Sequence, residues 1–277
     1  MMNNSVLETT IPNQKKIFYL NKDEVDYLYP QMPNYIRHGI KIEKGNTVFD
    51  VGANIGMFSL FANDLCAGEV NLHSFEPIPQ IFRVLKLNVE RFNSDKTKIY
   101  NCGLSNESKD AVEFKYFPKA SGFSTRFPDE SKAFRKSISS ILLGKPEELP
   151  ASVRNQINRI PQFLRSFILN LKLSDNLKSE TVTCQLKTIS QIVQEQNIQQ
   201  IDLLKIDVEK SELDVLLGID EQDWGKVKQI VIEAHDIDNR IDRLKTLLAK
   251  HNFKKIVVEQ EPLLEKSEYF NIYALRG

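Results

Sequence analysis

Residues 47–60 read TVFDVGANIGMFSL. The run TVFDV is apolar apart from its acid, Asp50. It closes on Gly52 and hands over to ANIGMFSLFANDL, a helical stretch. A buried strand that feeds a helix through a glycine turn opens a doubly wound α/β unit. Working outward, EVNLHSFEP (69–77) forms a second strand closed by Glu76-Pro77. Ile81, Leu85, Val89 and Phe92 then lie along one helical stripe. KIYNCGLSN reads as a third strand, with a further β-like segment at Val112–Phe117. After residue 180 the alternation resumes with strand TVTCQL, helix TISQIVQEQ, strand IDLLKIDVE, helix SELDVLLGI, strand KQIVIEAHD and helix IDRLKTLLAKHNF. The chain closes on two strand-like runs, KKIVVEQ and YFNIYALR. Alternating strands and helices predict a mostly parallel sheet covered on both faces. The final strand pair, with no helix between, predicts an antiparallel strand at or near one edge.

The remaining composition sets limits. The 277 residues are 41% hydrophobic and 27% charged, enough to bury a substantial core. Lys plus Arg equals Asp plus Glu at 37 each, so no basic field points to nucleic acid. The opening MMNNSVLETTIPNQKK lacks the apolar region of a secretory signal, and no run approaches the ~18 apolar residues of a membrane span. Cys66, Cys102 and Cys184 lie far apart without metal-ligand spacing, which predicts reduced thiols and a cytoplasmic setting. Residues 1–44 read as an N-terminal arm, loosely held over 1–20, with a helical lead-in; 45–277 read as one α/β domain. Residues 126–180 interrupt it with two helical pieces, near 129–143 and 147–171. This insertion holds ten Lys or Arg against six Asp or Glu. It predicts a helical lid whose Arg154, Arg159 and Arg165 either form a solvated face or dock an acidic carrier protein.

The loop Asp50-Val-Gly52-Ala-Asn54-Ile-Gly56 departs from the dinucleotide fingerprint. Asn54 holds the middle position, and a carboxylate stands two residues before the first glycine. A dinucleotide loop presents backbone N–H groups to a pyrophosphate, and Asp50 would oppose that anion. It suits a nucleoside bearing an amino group and a sulfonium, namely S-adenosylmethionine. Glu76, at the end of the second strand, is placed to take ribose hydroxyls.

These motifs together resemble the FkbM-type family of S-adenosylmethionine-dependent methyltransferases. TVFDVGANIGMFSL is similar to its first motif, SFEP to its ribose-binding acid, and NCGLSNES to its third-strand segment. LLKIDVEKSELDVLLG and IVIEAHD are similar to its later motifs. The resemblance implies a Rossmann-like class I fold with a seven-stranded sheet, and cofactor contacts at Asp50, Gly52, Asn54, Gly56, Glu76, Pro77, Gly103 and Leu104. It also implies O-methylation of a natural-product hydroxyl or a sugar, free or bound to a carrier protein. The family usually has glycine where this chain has Lys210; if that position needs a positive φ, the lysine is strained there.

Methyl transfer to oxygen needs alignment of the acceptor and removal of its proton. Asp207 and Glu209 end one strand; Glu233, His235 and Asp236 end another. Two arrangements are open. His235 acts as general base beside Asp207 and Glu209, or Asp207, Glu233 and His235 hold Mg2+ or another divalent ion that lowers the acceptor's pKa. Asp207 ranks above Glu209 for direct chemistry. His73 reads as a core residue, His38 and His251 as surface residues, and Cys102 as a buried small hydrophobe. SGFSTR (121–126) reads as acceptor-pocket wall or plain turn. A nicotinamide oxidoreductase and a non-catalytic binding module on the same fold are the alternatives.

Overall fold

A computed structural model describes residues 7–93, 95–128, 143, 151–162, 164, 165, 168, 174–260 and 267–277. The chain opens on a hairpin, β1 (Leu7–Thr10) and β2 (Lys16–Tyr19). Helix α1 (Lys22–Leu28) follows, its N-terminus capped by the Asn21 side chain, and runs into a 3-10 turn over Tyr29–Ile36. The doubly wound unit is then laid down as β3 (Thr47–Val51), α2 (Met57–Leu65), β4 (Asn71–Phe75), α3 (Pro79–Phe92) and β5 (Thr97–Tyr100). A side layer holds β6 (Cys102–Leu104), β7 (Lys109–Tyr116) and, beyond α4 (Ala151–Asn158), β8 (Glu180–Lys187). The second half adds α5 (Ile189–Glu195), β9 (Leu203–Asp207), α6 (Glu212–Leu217), β10 (Gln229–His235), α7 (Arg240–Lys250), β11 (Phe253–Glu259) and β12 (Tyr269–Arg276).

The central sheet has seven strands in the order β11-β12-β10-β9-β3-β4-β5. β10, β9, β3, β4 and β5 run parallel; β12 is antiparallel to both its neighbours and lies one strand in from the edge. The strand order reverses between β3 and β9, and open α/β sheets in general take ligands at the carboxyl ends of the strands beside such a switch point. One face of the sheet carries Val48, Leu72, Leu203 and Val231 into a core shared with α2, α3 and the N-terminal segment. The other carries Phe49, Phe75, Leu204, Ile206 and Ile232 into a core shared with α5, α6 and α7. Strands buried on both faces explain the near-continuous apolar runs in the sequence.

Three sequence readings change. KIYNCGLSN is two strands, because Asn101 turns the chain and donates to the carbonyls of Glu76 and Pro77, both at 3.0 Å. β5 ends the central sheet, whereas β6 pairs with β8 in a three-stranded sheet with β7. The arm is not loose over 7–20: the buried Asn88 of α3 accepts from Phe18 N at 2.7 Å and donates to Phe18 O at 3.0 Å, clamping the hairpin, while Ile11 and Ile17 are buried. His251 is not a surface residue; it is buried and stacks flat on Trp224 with centroids 4.0 Å apart. His73 sits in the core, bonded to Tyr100 Oη, and burial lowers its pKa to about 4. The helical piece expected at 129–143 lies outside the described residues except for Leu143. No helix among the described residues is long and apolar enough to cross a membrane.

Candidate functional site

A cavity of about 480 Å3 opens at the carboxyl ends of β3, β4, β9 and β10, within the range of small-molecule sites. The N-terminal segment, residues 119–124, Arg126, and Ile157 and Ile160 line its other side. Of SGFSTR, all but Thr125 therefore line the cavity.

Backbone geometry at the first loop explains its glycine. Gly52 has φ +78°, and a Cβ there would lie 1.7 Å from the Asp207 carbonyl oxygen, so only glycine lets β3 and β9 meet. Asn54 takes the left-handed region at φ 49° and holds it by accepting from Ile55 N at 2.7 Å. Glu76 is buried at the cavity wall. Its carboxylate accepts from Ile78 N at 2.8 Å and Asn54 N at 3.1 Å, leaving lone pairs for a ligand. Burial raises its pKa to about 7 in spite of those two donors. Gly52, Asn54, Glu76, Pro77, Gly103 and Leu104 all line the cavity.

Two expected ligand contacts shape the site from beneath. Gly56 (φ +92°) starts α2 against Leu85 and does not line the cavity. Asp50 is fully buried under the loop: it accepts from Ser59 Oγ at 2.7 Å and pairs with Lys205 Nζ at 3.1 Å. Register dictates that pairing, since Asp50 and Lys205 are directly opposed on β3 and β9. Lys205 also donates to Gly52 O at 3.0 Å and lies 3.5 Å from Asp207 Oδ2. Burial works to strip its proton, but Asp50 and Asp207 outweigh that and raise its pKa.

The same register logic places Glu233 of β10 opposite Asp207 of β9. Their carboxylates share the hydroxyl of Tyr35, which donates to Asp207 Oδ2 at 3.0 Å and Glu233 Oε2 at 3.2 Å. Tyr35 comes from the N-terminal segment, its ring set edge-on to Phe58. Further along the wall, Glu24 of α1 accepts from Ser121 Oγ and Gly122 N, and Ser121 reaches Asn54. A hydrogen-bonded chain thus ties α1 to the loop beneath Glu76.

His235, expected as base or metal ligand, does not line the cavity. It is buried, and its imidazolium donates from Nδ1 to Glu212 Oε1 at 2.9 Å. Nε2 sits 3.2 Å from Glu209 Oε2, close enough for an ion pair but without hydrogen-bond alignment. Burial opposes the charge, yet Glu209 and Glu212 outweigh it and push the pKa up to about 10. Among the described residues no group of three or more His, Cys, Asp or Glu is placed to hold a metal ion, so the expected Asp207–Glu233–His235 trio does not assemble. Lys205 and the Tyr35 proton balance the carboxylates instead. Glu209 lines the cavity; Asp236 caps α7 by accepting from Ile241 N.

The turn after β9 is strained. Glu209 (φ 49°) and Lys210 (φ 78°) both take the left-handed region. Lys210 therefore occupies a position that favours glycine, and its N–H donates to Glu212 Oε1 at 2.8 Å. Glu212, fully buried, also accepts from Arg240 at 2.8 Å and so anchors the turn through three donors. Cys102 does not line the cavity; it is buried, with its thiol pushed up to about 12.

Residues 50–255 match the methyltransferase FkbM domain. The chain belongs to the FkbM methyltransferase family. It is 33% identical over 275 residues to the 31-O-demethyl-FK506 methyltransferase FkbM of Streptomyces tacrolimicus, covering 98% of each chain. It is 34% identical over 282 residues to the AMB antimetabolite synthetase AmbE of Pseudomonas aeruginosa, but spans 12% of that much longer protein. Among solved structures, methyltransferase FkbM from Methylobacillus flagellatus shares the fold, with a TM-score of 0.52 at 14% identity over 88% of this chain and 47% of that one.

Proposed function

We propose that this FkbM-family methyltransferase is an S-adenosylmethionine-dependent O-methyltransferase acting on a hydroxyl of a natural-product scaffold or a sugar. The observation that carries this reading is a single cavity with Glu76 on one wall and the Asp207–Tyr35–Glu233 cluster on another. The residues fit the methyl donor: Glu76 presents carboxylate lone pairs for ribose hydroxyls, and the acid-rich lining suits a cation. Gly52, Asn54, Pro77, Gly103 and Leu104 complete the contacts on that side. When bound, the donor supplies an electrophilic methyl group on sulfonium.

The chain's own residues do the rest. Asp207 and Glu233, opposed in register at the strand ends, are placed to receive the acceptor's proton. Lys205 holds Asp207 and the Gly52 loop in one rigid unit, so donor loop and acceptor acid keep a fixed relation. His235, with Glu209 and Glu212, sets the strained turn that carries Asp207 into the cavity.

The 33% identity to the Streptomyces 31-O-demethyl-FK506 methyltransferase, over 98% of each chain, supports a hydroxylated small-molecule acceptor. The test is incubation with methyl-labelled S-adenosylmethionine and a panel of hydroxylated macrolides, hydroxylated peptides and sugars, read by mass spectrometry. Label on an oxygen that D207N or E233Q no longer delivers is the expected result. Label on nitrogen, or an undiminished yield from both variants, overturns the reading.

A further inference from the structure

Within SGFSTR the sequence singles out no residue, but in the fold Arg126 lines the cavity from a rigid footing. Thr125 beside it is buried; its Oγ1 donates to Glu209 O at 2.6 Å and accepts from Phe127 N at 3.0 Å. Two backbone bonds join Thr125 to Lys115, its N–H donating at 3.1 Å and its carbonyl accepting at 2.9 Å. The segment is thereby pinned to the turn that follows Asp207, two strands along the sheet from the Glu76 end of β4. Charge sets Arg126 apart. The cavity lining is rich in acids: Asp23, Glu24, Glu76, Asp207, Glu209 and Glu233. Among the described residues the lining cations are Lys119, Lys205 and Arg126. Lys205 is held by Asp50 at 3.1 Å, and Lys119 pairs with Asp175. Arg126 makes no ion pair among the described residues; its guanidinium lies 5.2 Å from the ring centroid of the exposed Phe127.

We propose that Arg126 is the specificity-determining residue of the acceptor site, gripping an oxyanion of the substrate, a carboxylate or phosphate, while the hydroxyl to be methylated reaches Asp207 and Glu233. Resting on the O-methyltransferase reading above, this role narrows the acceptor to a hydroxylated anion. A guanidinium presents paired N–H donors in one plane, matched to two oxygens of a carboxylate or phosphate. A cation without a partner in an acid-rich cleft draws an anion to that one place. Along the rest of the lining the acids repel it, so the anion has one favourable seat and the substrate one direction. Leu28, Ile157, Ile160 and Leu177, which also line the cavity, give the body of such a substrate an apolar wall. Orientation then decides which hydroxyl is delivered to the strand-end acids.

The test is nitrogen-15 NMR of the whole chain labelled at arginine, with the Arg126 Nε signal assigned through Arg126→Gln. Two matched pairs of probes are titrated with and without S-adenosylhomocysteine: para-hydroxyphenylacetate against its amide, and glycerol phosphate against glycerol. At least one anion is expected to shift the Arg126 signal and to bind about tenfold more tightly than its neutral counterpart, the worth of hydrogen bonds between charged groups. The pair that shows the preference identifies the oxyanion as carboxylate or phosphate. In R126Q the preference is expected to vanish, and in R126K, which keeps the charge but loses the planar fork, to persist only in part. Equal binding within both pairs, an unmoved Arg126 signal, or a preference that survives in R126Q overturns the proposal. If R126Q does not fold, the wild-type pairs decide by the same criteria, with R126K supplying the assignment. Calorimetry with S-adenosylhomocysteine separates this from the underlying reading. Its affinity is expected to be the same in R126Q; a tenfold loss places the donor's own carboxylate at Arg126 and overturns the acceptor role. Absence of binding to wild type overturns the methyl-transfer reading, while the anion preference measured without it still decides whether Arg126 is an oxyanion site.

Discussion

Lys205→Met tests the charge arrangement beneath the site. Methionine keeps the length and apolar stem of lysine while removing the cation, so the packing against Tyr35 and Phe58 survives. Asp50, 0% exposed, then keeps its bond from Ser59 but loses the partner 3.1 Å from its other oxygen. Removing one member of a buried ion pair typically costs about 3–5 kcal/mol, because the other charge is stranded. For 277 residues the unfolding entropy is about 0.6 kcal/mol per degree, so the melting temperature is expected to fall by roughly 5–9 °C. The assay is a double-mutant cycle by calorimetry and urea unfolding. Adding Asp50→Asn removes the stranded charge, so K205M with D50N is expected to recover about 2 kcal/mol relative to the sum of the singles. A loss below about 1 kcal/mol in K205M, or strict additivity in the cycle, refutes the reasoning.

Three further outcomes follow from the same geometry. Glu76, at about 7 in the ligand-free protein, must ionise to take two hydroxyls, so S-adenosylhomocysteine affinity is expected to rise roughly tenfold from pH 6 upward; the slope disappears in E76Q when measured by calorimetry. His235 binds its proton more tightly folded, at about 10, than unfolded, at 6.5. Its contribution to stability is fully present below pH 6.5 and lost as pH rises through 10; H235Q is expected to flatten this fall in urea titrations across that window. Lys210→Gly relieves a side chain at φ 78° and is expected to stabilise by up to about 1 kcal/mol, read as a small rise in melting temperature.

Much of the fold is legible because its determinants are local. The apolar runs at 47–51, 71–75 and 203–207 are buried on both faces, and glycine at 52 marks the one place where β3 passes the Asp207 carbonyl. The acids at 76, 207 and 233 follow from their strand-end positions. What sequence does not carry is register. Lys205 reads as an exception within LLKID until β3 and β9 are aligned and Asp50 faces it. Period-two alternation puts Glu233 and His235 on one face, but Glu209 and Glu212 capture the imidazole beyond the strand's end. Tyr35 and Glu24 reach the site across 172 and 97 residues of sequence, to Asp207 and Ser121, distances over which no local pattern operates.

Calorimetric titration of the whole chain with S-adenosylhomocysteine tests the central claim most directly. One site with micromolar affinity is expected, weakened about 100-fold by Glu76→Ala through loss of two hydrogen bonds to a charged group. Absence of binding to the folded wild-type protein at pH 8 contradicts the claim.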